Sequence, residues 1–139
     1  MAKKKSRKNI KFEIVSYGIY SEWDNHYKEL PKIEKFTNDI PVRLGIEFGY
    51  IVNIQKAKGL KIKYCIKHPD FFDSKGEIAP DFTGEVMINS NNWFFFLGDT
   101  VWEPIEDKVG EWQVICNLNG ENIADMKFNL YQLELLEID

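Results

Sequence analysis

Between residues 43 and 55 the chain shows a two-residue alternation that leaves few choices for its local structure. Apolar side chains occupy every second position, and the positions between them are mostly polar residues or glycine. Only an extended strand places two such sets on opposite faces. We predict a strand over 43–55, with Gly45 and Gly49 on the second face where a neighbouring backbone or ring approaches closely. Its apolar face consists of Leu44, Ile46, Phe48, Tyr50, Val52 and Ile54.

The alternation resumes after a turn at residues 56–59. From residue 60 to residue 67, apolar side chains alternate with Lys61, Lys63, Cys65 and Lys67. A turn between two alternating runs is typical of a β-hairpin. We therefore predict that segments 43–55 and 60–67 pair as a hairpin with the lysines on its outer face.

Weaker patterns precede and follow this centre. Residues 10–20 alternate as an opening strand, and a shift of phase after Val15, followed by Gly18, predicts a bulge or a bend there. Residues 21–41 read as a long connection with a short edge strand around 33–36, because Pro31 and Pro41 interrupt the pattern. A second connection covers 68–83 and contains a turn at 73–76.

The C-terminal half returns to strands. Residues 93–97 are five consecutive apolar residues, which predicts a strand that is covered on both faces or offers one face to a partner. Residues 112–118 alternate up to Asn119 and Gly120, a pair favoured in tight hairpin turns. A return strand follows to Leu130. Residues 131–139 fit either a continued strand or one helical turn, and we favour a strand at the start with a frayed end.

Composition agrees with a single β domain. The 139 residues suffice for one hydrophobic core, and the 14% of aromatic residues suit the half-buried surface of a sheet. Residues 1–9 form a basic tail that we expect to be disordered, and residues 10–139 form the domain. Removing the five basic residues of this tail from the 18 in the chain leaves 13 against 22 acidic residues, so the body carries a charge of −9. Such a body disfavours nucleic acid as a partner, although the tail at 3–8 could still contact it.

The chain has no apolar stretch of the kind found in a signal peptide or a membrane span. We therefore expect a cytoplasmic protein without a membrane partner. Cys65 and Cys116 then read as reduced thiols on strands. A disulfide between two facing sheets remains the alternative.

Two resemblances refine the fold. Residues 110–130 contain Gly110, Trp112, the Asn119–Gly120 turn and Phe128, and they resemble the closing hairpin of bacterial immunoglobulin-like domains. Segments 17–20, 45–49, 68–69 and 99–104 are similar to a bacterial family called domain of unknown function 3859, across most of residues 10–130. The resemblance implies an immunoglobulin-like fold and a bacterial source, and it implies no site. We predict an all-β protein, an antiparallel immunoglobulin-like sandwich of about 7–9 strands.

Candidate chemistry is sparse. A mechanism based on histidine would need His26 or His68, and no motif places a nucleophile beside either. An oxygen-rich loop with Asp70, Asp73 and Glu77 lacks the spacing of a calcium loop and reads as a solvated turn. The acidic stretch 99–111 surrounds Trp102, which we expect to plug one end of the core, although this stretch could bind a cation or a basic partner. We predict no metal site and no cofactor.

The aromatic run is the strongest surface candidate. If one face of this strand is uncovered, its rings could stack on a peptide or sugar or form a dimer contact, whereas filling the core is the other interpretation. The candidate binding residues are Trp93, Phe95, Trp102, Trp23, His26 and His68.

Three hypotheses follow for function. The first is a non-enzymatic binding or protein-interaction domain, with an unidentified protein or small ligand as partner, or a homodimer through an edge strand or the aromatic face. The second is a small enzyme or metal-binding module that uses the loops around His26, His68 and residues 99–107. The third is nucleic-acid contact through the tail at 3–8.

Overall fold

The chain forms two β-sheets that pack face to face. The computed structural model describes residues 9–21 and 29–133. Predictions about the tail at 1–8, about Trp23 and His26, and about residues 134–139 therefore lie outside the described residues. Within the described ranges, no helix is long and apolar enough to cross a membrane.

Nine strands make up the two sheets in the described part of the chain. Sheet A has the order β2-β1-β4-β7 and sheet B the order β3-β9-β8-β5-β6. A short 3₁₀ turn at Glu106–Lys108 precedes β8. The strands are β1 Lys11–Tyr20, β2 Ile33–Lys35, β3 Asp39–Pro41, β4 Glu47–Gln55, β5 Lys61–Lys67, β6 Phe82–Met87, β7 Asn92–Thr100, β8 Gly110–Leu118 and β9 Glu121–Tyr131.

The predicted sandwich is confirmed, with one departure from antiparallel pairing. Strand β3, which the sequence did not reveal, runs parallel to the end of β9. It has three residues and ends at Pro41, so it is too short to show an alternation. Two backbone hydrogen bonds flank this pairing: the Val42 amide donates to the Tyr131 carbonyl at 2.8 Å, and the Asn129 amide donates to the Asn38 carbonyl at 2.7 Å.

Strand β4 is the centre of the structure and is buried on both faces. Its inner face carries the predicted apolar residues from Phe48 to Ile54. The Phe48 ring meets Trp112 edge to face at 5.4 Å and Phe128 at 5.7 Å, so β4 packs directly on β8 and β9 of the opposite sheet. Burial of such rings supplies most of the stabilisation of a sandwich.

A hydrogen bond crosses the core from the same strand. The Tyr50 hydroxyl donates to the Val114 carbonyl of β8 at 2.9 Å, and both groups are buried. Burial raises the pKa of this phenol, so it stays a neutral donor. The bond satisfies a polar atom in the core and ties the two sheets at one relative position.

The predicted hairpin between segments 43–55 and 60–67 is wrong. Strand β4 pairs with β1 and β7 in sheet A, whereas β5 pairs with β6 and β8 in sheet B. The connection at 56–59 therefore crosses from one sheet to the other. The alternation of each strand was real, but alternation records which face is buried and carries no information about the neighbouring strand. The strand is also shorter than predicted, because Leu44 lies in a turn and is 62% exposed.

Several local predictions are confirmed. The register between β1 and β4 shifts between Ile14 and Ser16, so Val15 is the extra residue of a bulge. The edge strand near residue 33 exists as β2. Asn119 and Gly120 have φ angles of 52° and 82° and close the hairpin of β8 and β9. Both central residues of such a turn need positive φ.

The two cysteines are free, and the alternative of a disulfide between facing sheets is wrong. Both lie in sheet B, on the neighbouring strands β5 and β8. Cys116 is buried in the core, whereas Cys65 lies on the outer face near Asp81, with Sγ 3.8 Å from its carboxylate. Their side chains therefore point in opposite directions.

Glycine is required where β4 and β7 approach each other. Gly49 lies opposite Gly98 and has a φ of 150°. A Cβ at Gly49 would lie 2.3 Å from the Leu97 carbonyl oxygen. The prediction that a neighbouring backbone approaches Gly49 closely is confirmed, whereas Gly45 has open space around it.

We expect Tyr50→Phe to lower the free energy of unfolding by about 1 kcal/mol, because a buried carbonyl loses its donor. Urea denaturation followed by tryptophan fluorescence measures the change. Tyr131→Phe is the matched control, since Tyr131 is exposed on the last strand. Equal stability of the two variants would show that the bond across the core contributes nothing.

We expect Gly49→Ala to lower the free energy of unfolding by more than about 2 kcal/mol, because the added Cβ meets backbone and the residue has positive φ. Gly59→Ala separates these causes, since Gly59 has a φ of 91° but no atom within 4 Å of its Cβ position. Its cost should be only about 1–2 kcal/mol of backbone strain. Equal urea midpoints would contradict the close approach of β4 and β7.

Candidate interaction surface

The four outer strands of the two sheets differ in how well their free edges are protected. Strands β2 and β3 have three residues each, and β3 ends in proline. Strand β6 has six residues and carries Glu85, which pairs with Lys61 and Lys63. Short length, proline and charge are the devices that prevent a sheet edge from pairing with another chain.

Strand β7 has none of these devices over most of its length. It has nine residues and pairs with β4 in unbroken register from Asn92 to Thr100. No residue from 92 to 98 is charged. In the described part of the chain, no strand pairs with its other edge. A long, regular and apolar edge is the type that takes up an additional strand.

The hydrogen bonds at both ends of β7 show which of its backbone groups point outward. Val101 donates to the Ile46 carbonyl, and the Asn91 carbonyl accepts from Lys56, each at 2.9 Å. Because hydrogen-bonded and open positions alternate in an antiparallel pair, odd-numbered residues of β7 bond to β4. Even-numbered residues therefore direct their N–H and C=O groups to the free edge.

Two of these outward groups are satisfied locally. Ser90 donates its hydroxyl to the Asn92 carbonyl at 3.1 Å, and the Thr100 amide donates to the Asp99 carboxylate at 2.8 Å. Between these two caps, the outward positions include Phe94 and Gly98. In the described part of the chain, the outward groups that these two caps leave accessible include those of Phe94 and Gly98.

The side chains of β7 divide between the two faces of sheet A. Trp93 and Phe95 lie on the inner face, half-buried, with their rings stacked at 5.1 Å. Phe96 lies on the outer face, buried against Tyr20 with ring centroids 5.0 Å apart. Phe94 shares this outer face but is 44% exposed. The aromatic run is therefore partly core and partly surface.

A cleft of about 290 Å³ opens between β7 and β6, where the two sheets part. Its apolar side chains come from both sheets, and Asp99 is its one carboxylate. The Tyr64 ring lies across Gly84 of β6, and a Cβ added at Gly84 would clash with this ring. The other lining residues are Ile66, Phe82, Val86, Phe95, Phe96, Leu97 and Gly98.

Asp99 is the titratable group of this cleft. Burial raises the pKa of its carboxyl to about 6, and the hydrogen bond from the Thr100 amide and the nearby His68 and Lys108 oppose the rise. Desolvation dominates because the carboxylate lies at the inner face of β7. Near neutral pH the cleft therefore holds a negative charge with incomplete solvation.

His68 holds two loop segments together. Its Nδ1 and Nε2 atoms lie 2.8 Å from the carbonyl oxygens of Pro69 and Pro80. Its ring stacks on Phe71 at 4.4 Å and lies 4.6 Å from Phe82. Because both ring nitrogens contact backbone acceptors, neither is directed toward a substrate.

Trp102 lies in the same aromatic cluster and covers a buried lysine. Lys108 is 1% exposed, and its Nζ lies 4.4 Å from the centre of the Trp102 ring. The ammonium also donates to the Pro104 carbonyl at 2.9 Å and pairs with Asp107. Aromatic rings and acceptors together compensate for removing this charge from water.

The other polar candidates are engaged in turns or surface pairs. The Asp73 carboxylate accepts from the amides of Lys75 and Glu77, as in an ordinary turn. Glu111 pairs with Lys127 on the surface. Within the described ranges, no group of three or more His, Cys, Asp or Glu side chains could hold a metal ion.

The structure brings Trp93 and Phe95 together and places His68 and Trp102 in a second cluster, while Trp23 and His26 lie outside the described residues. Sequence reasoning missed Phe94 as the exposed member of the run and missed the walls that β5 and β6 contribute to the cleft. The absence of charge from 92 to 98 was visible in the sequence. Its significance depends on β7 being an edge strand, which the sequence does not show.

We expect Asp99→Asn to stabilise the protein at about pH 8 by on the order of 1 kcal/mol, because the variant no longer ionises a desolvated carboxyl. The raised folded-state pKa means that wild-type stability falls as the pH rises through about 6. The advantage of the variant should therefore vanish below about pH 4. Urea denaturation across this range measures it, with the exposed Asp70→Asn as the control. An advantage independent of pH would contradict the burial of Asp99.

Comparison with known proteins supports the fold and assigns no activity. The family model of domain of unknown function DUF3859 matches residues 8–130. Among solved structures, an immunoglobulin-like protein from Pseudomonas aeruginosa has a TM-score of 0.69 and 16% identity, covering 87% of this chain and 97% of that chain. At this identity the likeness concerns the fold alone. No curated protein matches the sequence.

A weaker structural match carries no argument about this chain. It is the alkylpurine DNA glycosylase AlkC from Pseudomonas fluorescens, bound to DNA containing an abasic site analog, with a TM-score of 0.41 and 16% identity over 68% of this chain and 27% of that chain. The family match, in contrast, covers most of the sequence and agrees with the resemblance seen there. The chain belongs to the family described as domain of unknown function DUF3859.

Proposed function

We propose that this chain is a non-enzymatic interaction domain of a bacterial cytoplasmic protein, and that it binds an extended polypeptide strand along the free edge of β7. In strand addition, main-chain hydrogen bonds provide affinity and alternate side chains provide specificity. The observation that carries the proposal is the contrast between edges. Strand β7 is long, regular and uncharged up to Asp99, whereas the other edges are short or carry charge.

The cleft beside β7 supports this mode of binding. A strand paired with β7 would direct every second side chain toward the space between β7 and β6. The cleft volume of about 290 Å³ lies at the lower limit of small-molecule pockets, which span roughly 300–1,000 Å³. Its apolar walls suit a large apolar side chain of a peptide better than a whole small ligand.

The state of the nucleophilic candidates favours binding over catalysis. Burial raises the pKa of the Cys116 thiol to about 12, and burial together with Asp81 raises that of Cys65. Protonated thiols are poor nucleophiles. His68, the histidine in the described residues, has both ring nitrogens on backbone carbonyls.

A random peptide library displayed on phage tests the proposal with the full chain as target. We expect selected peptides to alternate apolar and polar residues, since one face enters the cleft. We expect Phe94→Lys to weaken their binding by about tenfold or more, because a lysine on the edge opposes strand addition. Met87→Lys is the matched control, since Met87 is a 46% exposed apolar residue on the other long edge, β6.

Methylation of peptide amides makes the test specific for strand addition. Methyl groups on the amides that face β7 should abolish binding, and methyl groups on the intervening amides should leave it unchanged. Peptides that bind Phe94→Lys as well as the wild type, or that tolerate methylation at every position, would overturn the proposal. Failure of a monomeric wild type to select any peptide that prefers it to Phe94→Lys would also overturn the proposal.

A further inference from the structure

We infer that the strand added to β7 is the β7 strand of a second copy of this chain, in an antiparallel pair whose two-fold axis passes beside Phe96. This inference rests on the proposed function and names its partner. The two copies would join their A sheets into one continuous sheet, each contributing the order β2-β1-β4-β7. Such an interface uses the same surface on both subunits.

The local caps of β7 select this register. With the axis at residue 96, Phe94 lies opposite the partner's Gly98, and Asn92 lies opposite the partner's Thr100. In this register, the Asn92 carbonyl of each subunit would lie opposite the Thr100 amide of the other subunit. These are the two groups that Ser90 and Asp99 already satisfy within each chain. The caps therefore remove only groups that would have bonded to each other, and the ladder's hydrogen bonds include those between Phe94 and the partner's Gly98.

The side chains on the outer face are complementary in the same register. Phe94 is the exposed ring of the strand, and Gly98 presents no side chain on that face. A large ring placed across a glycine on the neighbouring strand covers backbone that would otherwise face water. Because of the two-fold axis the contact occurs twice, so the Phe94 ring of each subunit lies across the Gly98 of the other subunit. A register shifted by one step in either direction would lose both contacts.

The charge distribution permits two acidic bodies to meet along this edge. The whole chain has 22 acidic and 18 basic residues, but residues 92–98 contain none of either kind. Asp99 would lie opposite the partner's Trp93. The two Asp99 residues are then six positions apart along the ladder, roughly 20 Å at the rise of an antiparallel strand. This separation exceeds the screening length of about 8 Å at physiological ionic strength.

Sedimentation equilibrium of the full chain tests the inference. We expect a species of twice the 16.3 kDa chain mass for the wild type and for Met87→Lys. Phe94→Lys should sediment as the monomer, with the dissociation constant raised by about tenfold or more. Circular dichroism and thermal melting should show that both variants fold, because the two side chains are exposed.

A distance measurement tests the register. A nitroxide label attached through Asn92→Cys, in a Cys65→Ser background that leaves only the buried Cys116, reports the separation of the two subunits. Asn92 lies opposite the partner's Thr100, eight positions from the partner's Asn92. We expect a separation of roughly 27 Å between the two backbone positions, plus the length of the two label arms. A distribution centred near contact or far beyond this length would overturn the register.

The outcomes separate this inference from the proposed function. A wild type that is monomeric at high micromolar concentration, yet binds selected peptides along β7, would overturn the dimer and leave the interaction domain standing. A dimer that survives Phe94→Lys would place the contact elsewhere and overturn the inference. A wild type that neither dimerises nor binds peptides along β7 would overturn the inference and the proposed function together.

Discussion

The burial of both faces of β4, an inner strand of sheet A, governs the placement of the other strands. Its inner face packs on Trp112 and Phe128, and the Tyr50 hydroxyl reaches a carbonyl of the opposite sheet. Its two edges are occupied by β1 and β7. Once β4 is placed, β7 becomes the last strand of its sheet, and the free edge of β7 is a consequence of that placement.

The same arrangement explains why the aromatic residues 93–96 differ in burial. Trp93 and Phe95 lie on the inner face and are half-buried, and Phe95 lines the cleft between β6 and β7. Phe96 is buried on the other face of the sheet, and Phe94 remains exposed there. A strand that is both structural and accessible is what strand addition requires, because the receiving edge must be rigid before the partner arrives. The aromatic cluster around His68 and Trp102, in contrast, holds the end of the sandwich together.

Much of the secondary structure could be predicted because it is recorded in local pattern. The alternation in β4 and β5, the bulge at Val15 and the Asn119–Gly120 turn each follow from the chemistry of a few adjacent residues. Pairing is a different kind of information. The expected hairpin of β4 and β5 failed because both strands alternate equally well whichever neighbour they have. Strand β3 escaped notice because three residues ending in proline carry no periodic signal.

The class of the fold, the family resemblance and the absence of charge from residues 92–98 can be read from residue type and spacing alone. That this segment forms an edge, that Phe94 is its exposed ring and that Asp99 is desolvated in a cleft follows from the packing of distant segments. Burial and exposure arise from contacts between segments far apart in the chain. The cleft is one example, because β5 and β6 form one of its walls and β7 forms the other. The free energy of those contacts is shared among many residues, so no single stretch of sequence contains it.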